Sequence, residues 1–313
     1  MTIDNLAISV DTNEAAIPLS ARIFVPEGEI KRILIYLTGT TLNAGHCASN
    51  GSYDEAGMKL FHKGTAVIIP DTVGHGAGHG RITPLYLHRD YAGFAAFHLL
   101  RSFTSRHHLE GVPLDIYGYS QGAYHGVALL QRLQNTKASC RPHLFVGGGI
   151  YDLHAQFMTM LRHGRYTAPA YIVYLLGSLL EPEKALQCFV HQHHKAIQTF
   201  YASGSLNLAE LNDALPCELE ALLTHKMLSD TPDFVIEALK SHSLKPLDSN
   251  ETDVSFYHTT RDELCCRENL QSYLNCSVLS AKMIWGEAAS HLEGSKEYFE
   301  YVVRKSEERS AVR

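Results

Sequence analysis

The sequence lacks any block of basic residues. Its 27 lysines and arginines stand against 33 aspartates and glutamates, for a formal net charge of −6 at pH 7. Proteins that grip phosphate backbones or anionic bilayers concentrate positive charge, so neither nucleic acid nor an anionic membrane surface is an expected partner. Long apolar runs are also missing. The longest, Pro169 to Leu180, is too short to cross a bilayer and stops at Glu181, so no integral membrane segment is expected. The opening residues, MTIDNLAISVD, carry neither the basic region nor the apolar core of a secretory signal. A disulfide framework is absent as well. Cys47, Cys140, Cys188, Cys217, Cys265, Cys266 and Cys276 are odd in number and scattered, with no C-x-x-C pair. Reduced thiols in a cytoplasmic setting are therefore expected, with export by a route that needs no N-terminal signal left open. There is no internal repeat and no low-complexity linker.

What is present is an ordinary globular composition, 45% hydrophobic and 19% charged, in 313 residues. That is enough for one large α/β domain with an insertion, and a core of this size needs no disulfide or metal staple. The recurring unit is a strand followed by a helix, which predicts a mostly parallel sheet with helices on both faces. Leu19–Val25 reads as a strand ending at Pro26-Glu27-Gly28. Arg32–Leu37 (RILIYL) and Ala66–Ile69 (AVII) are apolar runs of the kind buried on both faces, and Leu114–Tyr117 and Leu144–Val146 follow. Between them, Tyr91–Phe103 carries Phe94, Phe97 and Leu100 at helical spacing, and Ala123, Val127 and Leu130 mark one face of another helix. From Tyr151 to Asn250 helix-like segments dominate, punctuated by Pro169, Pro182, Pro216 and Pro232. This stretch, 151–250, is expected to be a helical cap inserted into a core made of 1–150 and 251–313. The α/β rhythm then returns, with strands at Val254–Tyr257 and Val278–Trp285 and helices at Leu264–Leu274 and Glu293–Lys305.

The sharpest motif is Gly118-Tyr119-Ser120-Gln121-Gly122. G-x-S-x-G is a loose pattern alone, but here a strand (LDIYGY) enters it and an apolar-periodic helix leaves it, the context of a nucleophile elbow. Flanking glycines free the turn of side chains, and Ser120 is held out at the carboxyl edge of the sheet, where ligands bind in open α/β folds. A serine hydroxyl needs a base to take its proton. In this fold class the acid and then the histidine follow the serine along the chain. Asp262, where a strand runs out into TRDEL, fits the acid, and His291, after the last strand, fits the base. Glu263, Glu287 and Asp152 are the competing acids; Asp152 equally suits a helix N-cap. The oxyanion of an acyl transfer needs two donors. Here the backbone N–H of Gln121 and an amide of the Thr38-Gly39-Thr40-Thr41 loop, Thr40 by preference, are expected to supply them.

Three other clusters invite function. His191-Gln192-His193-His194 has no acidic or thiol ligand at metal spacing and is expected to be a polar helix face. The run Gly74 to Gly80 (GHGAGHG) lacks the G-K-[ST] ending of a phosphate loop and reads as a flexible loop near the site. Cys265-Cys266 reads as a buried pair on a helix. No metal and no cofactor are implied.

Several segments together resemble a known group, the secretory-lipase-type esterases of the α/β-hydrolase superfamily and their bacterial relatives. IIPDTVGHGAGHGRITPLYLHRDYA is similar to their strand, loop and Pro-x-Tyr-Leu-His run before a long helix, and YGYSQGAYHGVALLQRL to their G-Y-S-Q-G segment. GGGIYDLHAQF is similar to the lead into their cap, and TRDELC and ASHLEG to their acid and histidine segments. The matches span roughly residues 30–295 and are dense only in the core. Thr38 stands where many relatives carry His, and Ala123 replaces a frequent third glycine. The resemblance implies a Ser120–Asp262–His291 esterase or lipase acting on small acyl esters or lipids, with Asp152 structural. The cap, rich in Tyr, Leu and His, is expected to shape the acyl pocket, with Tyr166, Tyr171 and Tyr174, and Tyr119 beside the serine, meeting the substrate. The residues leave two alternatives open. One is another acyl transfer on the same triad: a thioesterase, acyltransferase or peptidase-like amidase. The other is a non-catalytic binding protein on a hydrolase scaffold.

Overall fold

The structure, a computed structural model, describes residues 1–13, 15–43, 45–136, 142–202, 207–247, 253–277 and 280–311. Among these described residues eight strands form one sheet: β1 (Thr2–Asp11), β2 (Ala16–Val25), β3 (Arg32–Leu37), β4 (Thr65–Pro70), β5 (Leu114–Tyr119), β6 (His143–Gly147), β7 (Asp253–Thr259) and β8 (Lys282–Gly286). Their spatial order is β1-β2-β4-β3-β5-β6-β7-β8. β2 runs antiparallel to both its neighbours, and every pairing from β4 to β8 is parallel. The expected mostly parallel sheet is the one observed.

Its central strands are buried on both faces because both faces are covered. In β3, Ile33, Ile35 and Leu37 join one apolar cluster while Leu34 and Tyr36 join the other. The same two-residue alternation divides Leu114 and Ile116 from Tyr117 and Tyr119 in β5, and Leu144 and Val146 from Phe145 in β6. The first face packs on α2 (Phe94–His107) and α3 (Gln121–Asn135); the second packs on α1 (Asp54–Leu60) and the closing α13 (His291–Ala311). Each fully buried Leu, Ile or Phe here contributes about 1.5–3 kcal/mol. On the second face the Tyr298 hydroxyl of α13 accepts from the Gly118 N–H at 2.8 Å and donates to the Phe145 carbonyl at 2.6 Å. α13 is thereby fastened under the turn that β5 enters.

Among the described residues between β6 and β7 lie eight α-helices: α4 (Leu153–His163), α5 (Pro169–Leu179), α6 (Pro182–Leu186), α7 (His194–Ala202), α8 (Leu208–Ala214), α9 (Leu219–Leu222), α10 (His225–Ser229) and α11 (Asp233–His242). Polar contacts join them to the sheet side. The Tyr86 N–H donates to Ser178 Oγ at 2.9 Å, and the Arg89 N–H to His242 Nδ1 at 3.2 Å. The Tyr124 hydroxyl lies 2.9 Å from the Leu87 carbonyl and 2.6 Å from that of His242. α12 (Arg267–Cys276) fills the β7–β8 connection. Among the described residues no helix is long and apolar enough to cross a membrane.

Some boundaries differ from those expected. β1 was not anticipated as a strand. Its Leu6, Ile8 and Val10 alternate with polar or small residues and pack on one apolar cluster, Ile3 packs on the other, and the remaining six residues of this edge strand are exposed. Cys265 and Cys266 are not on a helix; Cys266 caps α12, which starts at Arg267. The Gly74–Gly80 run contains a short 3₁₀ turn held by side-chain hydrogen bonds. Ser20 Oγ accepts the Ala77 N–H at 2.9 Å and donates to Asp71 at 2.6 Å, and Thr72 Oγ1 meets His75 Nδ1 at 2.8 Å. Cys140, residues 248–250 at the end of the expected cap, and Val278 and Leu279 of the expected last strand lie outside the described residues.

Candidate active site

The β5–α3 turn places Ser120 at φ 57° and ψ −122°, a conformation that costs a residue with a side chain about 1–3 kcal/mol. Its neighbours must be glycine for the turn to close. A Cβ on Gly122 would stand 2.0 Å from the Leu37 carbonyl oxygen, and one on Gly118 would stand 2.3 Å from the Gly122 carbonyl oxygen. Both obstacles are backbone, so no rotamer change relieves them. The Ser120 N–H donates to the Gly147 carbonyl at 2.9 Å, tying the turn to the end of β6. Gly122→Ala is expected to cost at least about 3 kcal/mol by overpacking, lowering Tm by about 6–12 °C. A thermal melt checks this, and an unchanged Tm would show that the Leu37 end of β3 yields freely.

Asp262 follows β7 with a fully buried side chain. Its Oδ1 accepts from the N–H groups of Leu264 (3.0 Å) and Cys265 (2.8 Å), which fixes the carboxylate so that Oδ2 meets His291 Nδ1 at 2.8 Å. His291 is the first residue of α13, earlier than the expected helix start at Glu293. Its side chain is 11% exposed, enough to leave one ring edge accessible. Three contacts fix its backbone loop: the His291 N–H donates to Glu263 Oε2 at 2.8 Å, the Tyr119 hydroxyl donates to the His291 carbonyl at 3.0 Å, and Thr259 Oγ1 donates to the Ala288 carbonyl at 2.5 Å. The Tyr119 ring also lies 5.0 Å from the imidazole.

Ser120 ends β5, the Thr40 loop follows β3, Asp262 follows β7 and His291 follows β8. All four therefore stand at the carboxyl ends of parallel strands, the edge that binds ligands in open α/β sheets. The Gln121 N–H is one of the orphan donors of the first turn of α3. Thr40 is half-buried, with Tyr86 and Tyr171 near its side chain.

The competing acids have other places. Asp152 caps α4, with Oδ1 accepting the Ala155 N–H at 2.9 Å and Oδ2 accepting from Ser272 Oγ at 2.6 Å. Glu263 holds the His291 backbone, and Glu287 is exposed. His193 and His194 place their Nε2 atoms 3.0 and 2.9 Å from the Ala221 and Phe189 carbonyls. The first three residues of that run form a short 3₁₀ turn, and His194 opens α7.

Of the tyrosines expected to meet substrate, Tyr119 is 4% exposed and lies under the histidine loop on the α13 side of the sheet. Tyr171 and Tyr174 pack around Tyr86, at 5.7 and 4.9 Å between ring centres. The Tyr166 hydroxyl donates to the Leu264 carbonyl at 3.1 Å. Burial pushes the hydroxyls of Tyr86 and Tyr166 well above the ordinary phenol range, so both stay neutral. A cavity of about 20 Å³ remains among Tyr86, Leu87, Phe157, Tyr166 and Tyr171, room for about one water. Glu263 and Tyr119 as supports of His291 are what the sequence reading missed. Both stood beside candidate residues, but a contact to a backbone atom leaves no mark in the sequence.

No family model and no curated protein matches the sequence. Solved structures do. A Legionella pneumophila protein provisionally described as a hydrolase superposes with a TM-score of 0.79 at 15% identity, over 98% of this chain and 88% of its own. The rice cell wall degrading esterase LipA from Xanthomonas oryzae, in a ligand-bound form, gives 0.72 at 17% identity, over 96% and 88%. Candida antarctica lipase A in its closed state gives 0.64 at 12% identity, over 95% and 77%. Nearly the whole chain is matched, including the helices between β6 and β7, at identities where backbone architecture is what is shared. By its sheet and by these likenesses, the chain has the α/β-hydrolase fold.

Proposed function

We propose that this chain is a serine hydrolase that cleaves carboxylic esters through an acyl-enzyme. The observation that carries the reading is the Asp262–His291 pair at 2.8 Å, set at the same sheet edge as a serine in a strained strand-to-helix turn. In this reading Ser120 Oγ attacks the ester carbonyl while His291 Nε2 takes its proton. Asp262, buried and anchored by two backbone donors, holds the Nδ1–H tautomer and stabilises the imidazolium. The N–H groups of Gln121 and Thr40 receive the developing oxyanion; such preorganised donors are each worth about 3–4 kcal/mol of barrier. His291 returns the proton to the leaving alcohol. Water, activated by the same base, then hydrolyses the acyl-enzyme.

The helices from α4 to α11 act as the cap in this reading, and the Tyr86, Tyr166, Tyr171 cluster as the wall of the acyl pocket. The esterase and lipase among the structural neighbours favour an ester as the substrate class. Only about 20 Å³ is free in that pocket, so an acyl group would enter by displacing its side chains, and a short one would displace least. Tyr171→Ala is expected to move the preference of kcat/KM along a p-nitrophenyl series from acetyl towards octanoyl, by about tenfold in the ratio. An unchanged ratio would place the acyl group elsewhere. The reading as a whole is tested by labelling with a fluorophosphonate probe and by hydrolysis of the same esters. A wild-type chain that neither labels nor turns over would overturn it.

A further inference from the structure

The Asp262 carboxylate, the Cys265 thiol and the His291 imidazole bring one ligand-type atom each to within 4.8 Å of one another. Asp262 is fully buried as a side chain and Cys265 is 3% exposed, so the atoms converge away from bulk water. Cys265 follows Asp262 by three residues in the turn that Asp262 Oδ1 closes through the Cys265 N–H. The thiol is therefore held beside the carboxylate by backbone geometry. One oxygen, one sulfur and one imidazole nitrogen make a donor set suited to a borderline-soft divalent cation. Tetrahedral ligation at ordinary zinc bond lengths separates such donors by about 3.3–3.7 Å. The site thus needs adjustments of about an ångström or less.

We propose that Asp262, Cys265 and His291 form an inhibitory site for a zinc-class cation, Zn²⁺ or Cd²⁺, with water as the fourth ligand. The cation takes the lone pair of His291 Nδ1, and the imidazole proton moves to Nε2. The Cys265 S–H bond breaks, the sulfur binds the metal and the proton goes to solvent, while Asp262 gives an oxygen with no change of protonation. One proton is released per cation. With Nε2 protonated, His291 cannot accept the proton of Ser120. The effect on ester hydrolysis thus rests on the function proposed above, whereas the metal site does not. In the metal-free protein, burial and then the Asp262 charge hold the Cys265 thiol well above its ordinary range, so it is protonated. A bound dication reverses this, and affinity rises by about tenfold per pH unit while a proton must be displaced.

The test titrates the full chain with Cd²⁺ and Co²⁺, following thiolate-to-metal charge transfer in the ultraviolet and proton release in weak buffer. p-Nitrophenyl acetate hydrolysis is followed in parallel against free Zn²⁺, with reversal by EDTA. The wild type is expected to show a one-to-one band, one proton released and a loss of hydrolysis of at least about tenfold. Cys265→Ala should lose that band and, measured against its own metal-free rate, need at least about tenfold more Zn²⁺ for the same fractional inhibition. Cys265→Ser serves if the alanine variant does not fold. No band in the wild type, or equal Zn²⁺ sensitivity in the variants, overturns the site and assigns inhibition to other residues such as the His191–His194 run. If no ester is hydrolysed, the proposed function fails, while the band and its loss in the Cys265 variants still decide the metal site.

Discussion

Ser120→Ala is expected to lower kcat/KM on p-nitrophenyl acetate by about 10⁴–10⁶-fold, equivalent to about 5.5–8 kcal/mol of barrier, and to abolish fluorophosphonate labelling. The fold should survive. Alanine carries the same Cβ as serine through the turn, so the strain at φ 57° is unchanged, and the Ser120 N–H keeps its bond to Gly147. An unaltered melting curve separates loss of the nucleophile from loss of structure. Adding His291→Ala to Ser120→Ala should cost little more, because groups that act as one unit fail together. A variant that still turned over at the wild-type rate would remove Ser120 from the mechanism, and the serine hydrolase reading with it.

The elements that could be read in the sequence are those whose burial is symmetrical. AVII, and RILIYL after its opening Arg32, are apolar because both sheet faces are covered, and β3 and β4 stand where these runs lie. β1 was missed for the opposite reason. It lies at the edge, and of its ten residues only Leu6 is buried, so tertiary pairing with β2 decides its state more than its own pattern does. The glycines of G-Y-S-Q-G told of a turn because backbone crowds their Cβ positions. The partners of His291 were less legible. Asp262 could be placed by chain order, but the grip of Tyr119 and Glu263 on the backbone of His291 depends on how α13 docks beneath the sheet. Tyr119 was expected to meet substrate because it adjoins Ser120. Residues alternate across a strand, so the residue before Ser120 falls on the α13 side, where Tyr298 and Tyr257 pack.

Asp262→Asn tests the acid of the proposed trio, and its expected effect is a fall of about 10⁴-fold in kcat at neutral pH with the fold retained. The asparagine oxygen can go on accepting from the N–H groups of Leu264 and Cys265, as Oδ1 does now. The amide NH₂ then faces His291 Nδ1 across the 2.8 Å contact. Two donors cannot share that contact, so Nδ1 must become the acceptor and the ring proton moves to Nε2. The base is thus lost by tautomer while every heavy atom stays in place. Asp152→Asn and Glu263→Gln are the controls. The first weakens the cap of α4 and its Ser272 contact. The second leaves an amide oxygen to accept the His291 N–H. Each should keep activity within about tenfold, since neither changes a proton on the imidazole. If Asp152→Asn were the variant that lost 10⁴-fold and Asp262→Asn were mild, the acid would lie one strand earlier, and the short contact to His291 would be packing alone.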